Sequence, residues 1–368
     1  MRETEVLVIG GGPAGLSAAL EAASLGAEVT LLDSDLKLGG QLIKQTHKFF
    51  GSKEEHAGTR GLLIADLLFK ELEDYKSKGQ IQVLSNCTAT GYFKEDGVVT
   101  YVVGEDEYVR LRPKKIVMAT GAQERLIPFP NNDLPGVYGA GAIQTLMNVY
   151  GVTPGQRVLM VGAGNIGLIV SYQLMQAGVE IVGILEAMSK IGGYWVHAAK
   201  VRRMGVPILL NHTIKEALGT DLVTGAVIQE VDAKFQPVGD PKRVDCDVIC
   251  LAVGLTPTCE MLWQAGCEMK FVPQLCGYVA KRDSLMRTSH PDIWVAGDAA
   301  GIEEASSAMV EGRVAGLAAA ASLNYGTPEV LKERSATYRK RLSDLRAGEV
   351  GEKIREGLCQ VCCECWGA

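Results

Sequence analysis

No run in this chain is long and apolar enough to cross a bilayer. The Ala-rich stretch over 314–323 falls far short of the ~20 residues a spanning helix needs. Basic charge is not in excess either. With 37 Lys and Arg against 43 Asp and Glu, the net charge of −6 gives no field to hold nucleic acid or an anionic membrane. The first residues lack the basic segment, apolar core and small-residue cleavage site of an export signal, so a cytoplasmic location is expected. The ten cysteines are then expected as reduced thiols or metal ligands rather than disulfides. The five histidines form no H-E-x-x-H pattern, and no Ser-His-Asp order or carboxylate pair stands out, which removes the common hydrolytic signatures.

Glycine, by contrast, is abundant, at 43 of 368 residues, and part of it is ordered by spacing. Val6–Ile9 is a short apolar, β-branched run, as a buried parallel strand requires. Gly10, Gly12 and Gly15 follow in G-x-G-x-x-G spacing, with Pro13 and Ala14 between them. Gly10 permits the tight turn, Gly12 lets a pyrophosphate approach the backbone, and Gly15 lets a helix pack close to the sheet. A helix to about Gly26 is expected, its N-terminus facing the phosphates. A second apolar strand ends at Asp33, 23 residues after Gly10, where a carboxylate can accept hydrogen bonds from a ribose diol.

The pattern occurs twice. Arg157–Val161 is again a strand, followed by Gly162, Gly164 and Gly167 around Asn165 and Ile166. The next strand ends at Glu186, 24 residues after Gly162. Between the two copies the sequence predicts a helix over Gly61–Lys78, a small antiparallel meander laid on the first sheet, and a strand Lys115–Ala119 running into Thr120 and Gly121. A Pro-rich passage (Pro128, Pro130, Pro135) follows and marks a linker. After the second copy come a helix Tyr194–Met204, strand Val206–Asn211, segments around Leu222–Val231 and Ala233–Val238, and strand Val248–Ala252. The strand Ile293–Ala296 then runs into Gly297 and Asp298, ahead of an apolar helix Ser306–Leu323. The tail, about Pro328–Glu356, interleaves Lys332, Arg334, Arg339, Lys340 and Arg341 with acids and reads as a solvated helical face.

Gly10–Asp33, Ala119-Thr120-Gly121, Gly162–Glu186 and Gly297-Asp298 together resemble the flavoproteins with two dinucleotide-binding domains, the thioredoxin-reductase and glutathione-reductase superfamily. The resemblance covers about residues 4–325. It implies an α/β fold of two Rossmann-like domains of the three-layer ββα type, with the NAD-binding domain inserted into the FAD-binding one. The expected boundaries are 1–125 and 257–327 for the FAD domain, 126–256 for the NAD(H) domain, and 328–368 for the charged tail. It also implies FAD on Gly10, Gly12, Pro13, Ala14, Gly15 and Asp33, and on Thr120, Gly121, Gly297 and Asp298. NAD(H) would sit on Gly162, Gly164, Asn165, Ile166, Gly167 and Glu186. A carboxylate at Glu186 favours NADH over NADPH by repelling a 2′-phosphate.

The segment Gly39–Gly51, with Gly40, Gln41, Leu42, Lys44 and His47, and the segments Lys190–Tyr194 and His197–Lys200, are similar to a narrower group. These are the α-type flavoprotein subunits of multi-component proline dehydrogenase, opine oxidase, hydrogen cyanide synthase and sarcosine oxidase. That likeness implies partners: an amino-acid-oxidase-like flavoprotein subunit and a small ferredoxin-like subunit. Lys44 and His47 are candidates to lie near the isoalloxazine, where a cation would stabilise reduced flavin, with ordinary loop roles as the alternative.

Two departures narrow the chemistry. Disulfide reductases of the superfamily carry a cysteine pair beside the flavin, whereas Leu38–Thr46 and Met118–Pro154 contain no cysteine. Thiol–disulfide exchange needs an attacking thiolate, so disulfide reduction is not expected. Many members also have Glu where Ile169 stands, which leaves an alternative open: a structural or assembly subunit whose second site holds an adenine nucleotide without hydride transfer. A stand-alone NADH-dependent reductase of a small electron carrier is a further alternative. Finally, Cys359, Cys362, Cys363 and Cys365 fall within seven residues. Three have C-x₂-C-x₂-C spacing, as in ferredoxin runs, but no fourth ligand with its proline follows. An iron–sulfur site shared with a partner, a zinc site, and a thiol tail remain the readings.

Overall fold

The computed structural model describes residues 1–49 and 51–362. The chain divides into two compact units: Met1–Gln123 with the chain from Thr256 onward, and Glu124–Leu255 between them.

The first unit is built on a seven-stranded sheet. Ile81–Leu84, Val29–Leu32, Arg2–Ile9 and Glu107–Met118 run parallel in that spatial order. Every residue of Val29–Leu32 is buried, as is Val6–Ile9, because both faces of the sheet are covered, so the strands are apolar throughout rather than alternating. Glu107–Met118 has two successive neighbours on its other side. Val98–Val103 pairs antiparallel with it as far as Leu111, and Ile293–Val295 pairs parallel with it from Ile116. The last limb of the expected meander and the strand expected over Lys115–Ala119 are thus one strand. Pro113 stands opposite Thr4 on one side of the strand, and on the other it lies in the gap between those two pairings, where no N–H is asked of it. The meander is likewise a continuation of the main sheet, not a layer laid on it.

The helices Pro13–Ser24 and Ala305–Ala321 pack backbone to backbone. A Cβ on Gly312 would lie 2.0 Å from Ala14 O, and one on Gly316 would lie 2.2 Å from Ala18 O. Two further helices, Pro328–Leu345 and Gly348–Leu358, form a C-terminal arm. The arm is not the solvated face the sequence predicted. Arg334, Tyr338 and Leu342 recur at helical spacing on the buried side: Leu342 is fully buried, the Tyr338 hydroxyl donates to Glu21 (2.7 Å), and Arg334 donates to the other Glu21 oxygen (2.9 Å). Arg341 pairs with the buried Glu55.

The second unit has a five-stranded parallel sheet in the order Ile208–Leu210, Glu180–Glu186, Arg157–Val161, Val248–Leu251 and Val137–Gly139. Alternation across its central strand makes two cores. Val158 and Met160 pack with Leu168, Ala198 and Ile143 from the helices, whereas Leu159 and Val161 pack with Ile214, Ala226 and Ile228 from an antiparallel sheet. That antiparallel sheet has three strands, His212–Leu218, Gly225–Val231 and Pro237–Val244. The first was missed in the sequence, where Val206–Asn211 is read as one strand. Asn211 takes a left-handed φ of 55° and turns the chain into it.

Candidate dinucleotide sites

The two glycine motifs have the same local construction. Gly10 has φ 106° and Gly162 has φ 111°. A Cβ there would lie 2.2 Å from Ala119 O and 2.3 Å from Ala252 O, respectively, so no side chain is tolerated. Gly15 and Gly167 each press on the first glycine of their own turn, with Cβ positions 1.7 Å and 2.1 Å from its carbonyl oxygen. The middle glycines differ in kind. Gly12 and Gly164 are the helix N-caps, neither helix has a side-chain cap, and a Cβ would meet nothing nearer than Gly40 Cα at 4.0 Å at Gly12 and nothing within 4 Å at Gly164. An uncapped helix start beside open space suits a pyrophosphate.

The terminal acids repeat the match. Asp33 Oδ2 accepts from Gly11 N and Oδ1 accepts from Asp35 N (2.7 Å). Glu186 Oε2 accepts from Ala163 N (3.0 Å) and Oε1 from Met188 N (3.0 Å). Each carboxylate is thereby fixed over its glycine turn, with lone pairs left to accept from ribose hydroxyls. Burial raises the Asp33 carboxyl above the usual range, and the backbone N–H groups of Asp35 and Gly11 and the charge of Lys44 work against that rise.

A second Gly-Gly pair lies over each turn. Gly39 N donates to Gly11 O (2.8 Å), and Gly40 stacks on Gly12. In the other unit Gly193 N donates to Ala163 O (2.9 Å), and Tyr194 N donates to Asn165 Oδ1 (2.7 Å). Ile166 is exposed at the start of that helix. In the first unit Gln41 is exposed and Leu42 is fully buried in the core, so only the backbone of Leu42 is available to a ligand. Lys44 ends a short 3-10 turn, Leu42–Lys44, and His47 stacks on Phe49 with ring centroids 6.2 Å apart. Between them Gln45 Oε1 is buried without a hydrogen-bond partner, an acceptor that a ligand N–H or O–H would satisfy. The sequence reading did not single it out.

At the strand end, Thr120 Oγ1 donates to Thr258 O (2.6 Å), and Gly121 O accepts from Thr258 N (3.0 Å). Gly297 has φ 69° and lies on the start of the first helix, its Cβ position 2.8 Å from Ala14 Cβ. Asp298 therefore sits beside the first pyrophosphate turn. Although partly open at the surface, it is enclosed enough that desolvation raises its carboxyl to about 7, with a smaller upward push from Glu311, Glu303 and Glu304. Both units thus offer what an adenine dinucleotide needs, an open helix start and a fixed acid, and only the first adds the late aspartate.

The tail cysteines divide. Cys359 is exposed at the end of the arm; Cys362 is buried beside Arg282, whose N–H donates to Val361 O (3.0 Å). Cys363 and Cys365 lie outside the described residues. Among those described, no three His, Cys, Asp or Glu side chains are grouped to hold a metal. No described helix is long and apolar enough to cross a membrane.

The sequence pattern of the pyridine nucleotide-disulphide oxidoreductases matches residues 4–312. The chain belongs to that family. Membership makes it an FAD oxidoreductase fold that binds FAD and NAD(P). An opine oxidase subunit from Agrobacterium tumefaciens (strain Ach5) is 29% identical over 353 residues, covering 91% of this chain and 70% of that protein. Hydrogen cyanide synthase subunit HcnB of Pseudomonas protegens is 26% identical over 377 residues, covering 96% of this chain and 79% of that protein. Both are named as subunits. Among solved structures, thioredoxin reductase of T. acidophilum superposes with a TM-score of 0.71 at 21% identity, over 88% of this chain and all of that one. L-proline dehydrogenase of P. horikoshii does so with a TM-score of 0.67 at 24% identity, over 91% of this chain and 59% of that one. These two likenesses establish the two-domain FAD/NAD fold.

Proposed function

We propose that this chain relays electrons between NADH and a partner's redox centre, as the FAD-carrying component of a multi-subunit amine or amino-acid dehydrogenase. The observation that carries the reading is the duplicated site, an open glycine turn under a fixed acid in each unit, combined with the absence of cysteine in both segments where a disulfide reductase would need it. The first cysteine, Cys87, is buried, and burial raises its thiol. On this reading neither of the two segments supplies a thiolate beside the flavin, and the chain would not act as a disulfide reductase.

In the first unit, Gly10, Gly12, Pro13, Ala14 and Gly15 would receive the pyrophosphate of FAD, and Asp33 the adenosine ribose. Gly40, Gln41 and the Leu42 backbone would close the same turn, and Thr120, Gly121, Gly297 and Asp298 would face the rest of the cofactor. In the second unit, Gly162, Gly164, Asn165, Ile166 and Gly167 would hold the pyrophosphate of NADH. Glu186 would accept from its ribose diol and repel a 2′-phosphate. FAD, when bound, accepts a hydride as an electron pair and can pass electrons on singly or in pairs. The protein's part would be to orient it, with Lys44 as the cation whose charge would lower the cost of reduction and Asp298 as the carboxylate on the other side of the turn. The partners that fit are an amino-acid-oxidase-like flavoprotein and a small ferredoxin-like subunit. Cys359 and Cys362, with Cys363 and Cys365, are the residues that would share an iron–sulfur cluster with them.

Anaerobic addition of NADH to the purified flavoprotein tests the relay: the flavin absorbance should bleach. Retained FAD with no bleaching would refute it. That result would favour a second reading, in which the second unit holds an adenine nucleotide without hydride transfer, supported by Ile169 in place of a carboxylate.

A further inference from the structure

The C-terminal arm carries a guanidinium into the interior of the first unit. Arg346 follows the Pro328–Leu345 helix, and its side chain is 5% exposed. Its guanidinium holds Glu303 by two parallel bonds, Nε to Oε2 at 2.9 Å and Nη2 to Oε1 at 2.7 Å, and reaches Glu311 Oε1 at 2.5 Å. Both partners are themselves buried, at 8% and 3% exposure. Neither stops at the ion pair. Glu311 uses its other oxygen, Oε2, to accept from Gly297 N (2.9 Å), the residue before Asp298. Glu303 turns its own backbone N–H toward Asp298 Oδ1, at 3.5 Å. One guanidinium therefore fixes both groups that flank the Asp298 carboxylate. A planar fork is the donor that suits two carboxylates at once; a lysine ammonium has one point of charge and no fixed geometry.

Arg346 lies beyond the part of the chain that matches the family pattern, which ends at residue 312. Arg355 donates back to the Arg346 carbonyl, so the second arm helix locks the corner from which the side chain projects. Among the described residues, the other charged groups that act on this cluster are Arg282, buried and attracted by Glu311 and Glu303, and Glu304, which pushes the Asp298 carboxyl upward.

We infer that Arg346 is a positioning residue for the flavin site: through Glu311 and Glu303 it holds the Gly297-Asp298 turn in the form that receives FAD. The inference rests on the assignment of FAD to the first unit. Its consequence is that a displacement of the arm at Arg346 reaches the turn that presents Asp298.

The test is a double-mutant cycle on the full-length chain, with FAD affinity read by titrating the apoprotein and stability by its melt. Asp298→Ala should weaken FAD. Arg346→Lys should weaken it about tenfold, within the range for neighbours in one hydrogen-bond network, and the double variant should be no weaker than Asp298→Ala alone. Arg334→Met, which loosens the same arm at Glu21, should lower the melt and leave FAD affinity unchanged. The pH profile of FAD binding adds a readout that loss of stability alone would not move. With the guanidinium's charge removed in Arg346→Met, Glu311 and Glu303 raise the Asp298 carboxyl further, so the inflection should move to higher pH in Arg346→Met and stay in place in Arg334→Met. Should Arg346→Lys fold poorly, Glu311→Gln keeps an acceptor for Gly297 N and breaks the guanidinium's ion pair to that turn, leaving only its bonds to Glu303; it should show the same non-additivity with Asp298→Ala. Full additivity, or wild-type FAD affinity in Arg346→Lys, overturns the inference while leaving the FAD assignment standing. If Asp298→Ala binds FAD as wild type does, the assignment itself falls, and the inference with it.

Discussion

Replacing Gly316 by alanine should destabilise the first unit, although alanine is the better helix former. Gly316 lies within the Ala305–Ala321 helix, where the propensity gain would be ~1 kcal/mol in an exposed position. Here a Cβ would stand 2.2 Å from Ala18 O and 2.9 Å from its carbonyl carbon, closer than real Cβ contacts come. The obstruction is backbone in the opposing helix, so no rotamer change relieves it and the two helices must move apart. Overpacking of this kind costs about 1–3 kcal/mol, and a rigid backbone obstacle puts it toward the upper end. After the propensity gain, a net loss of about 1–2 kcal/mol remains, or roughly 2–8 °C in the melt of a unit this size. Gly312→Ala makes the same test one turn nearer the phosphate site. Its Cβ would stand 2.0 Å from Ala14 O, so the displacement falls on the first turn of the dinucleotide helix. Both variants should melt below wild type by circular dichroism, and Gly312→Ala should in addition purify with less FAD than Gly316→Ala. A Gly316→Ala melt at or above wild type would mean that helix propensity governs and that the helices do not meet at this distance.

Further outcomes follow from single groups. Asp33→Ala removes the acceptor of the Gly11 and Asp35 N–H groups, and FAD affinity in an equilibrium titration should drop by about 1.5–3 kcal/mol, roughly tenfold to a hundredfold. Glu186→Ala should narrow the preference for NADH over NADPH in flavin reduction assays, since the fixed negative charge that repels a 2′-phosphate is gone. The Asp298 carboxyl is raised from 3.8 to about 7 in the folded apoprotein, so its contribution to stability is full below pH ~4 and lost as pH rises through 7. Apo Asp298→Asn should therefore gain on wild type in melting temperature between pH 5 and pH 8; a pH-independent difference would contradict the raised carboxyl. Burial raises the thiols of Cys246, to about 12, and of Cys250, so in a native labelling experiment at neutral pH both should stay unmodified while exposed Cys359 reacts; modification of Cys250 before unfolding would contradict its placement.

What the sequence disclosed and what it hid separate along a physical line. The two dinucleotide turns were legible because their determinants are local. Gly10 and Gly162 need a positive φ, Gly15 and Gly167 need room against the same turn, and the acid comes at a distance set by one helix and one strand. Glycine at such a place has no cheaper substitute, so the letter itself carries the geometry. Pro113 misled because a proline usually ends a strand, and only the pairing partners on either side reveal that its missing donor falls in a gap. Arg346 was hidden for a different reason. Its partners Glu303 and Glu311 are 43 and 35 residues away, and every one of the three residue types is common on solvated helices. A charge announces burial only through what surrounds it, and that surrounding is tertiary. The same holds for Glu21, which is buried within a helix of alanines and takes its partners from distant elements, Arg313 in the Ala305–Ala321 helix and Arg334 and Tyr338 in the arm. Burying an unpaired carboxylate costs several kcal/mol, so these acids make sense only with the arm in place, and the arm's basic residues are the counterpart that lets them stay in the core. The charged tail is therefore a structural part of the first unit: without it, Glu303 would lose its guanidinium partner, Glu21 and Glu311 would each lose one, and the turn that presents Asp298 would rest on Glu311.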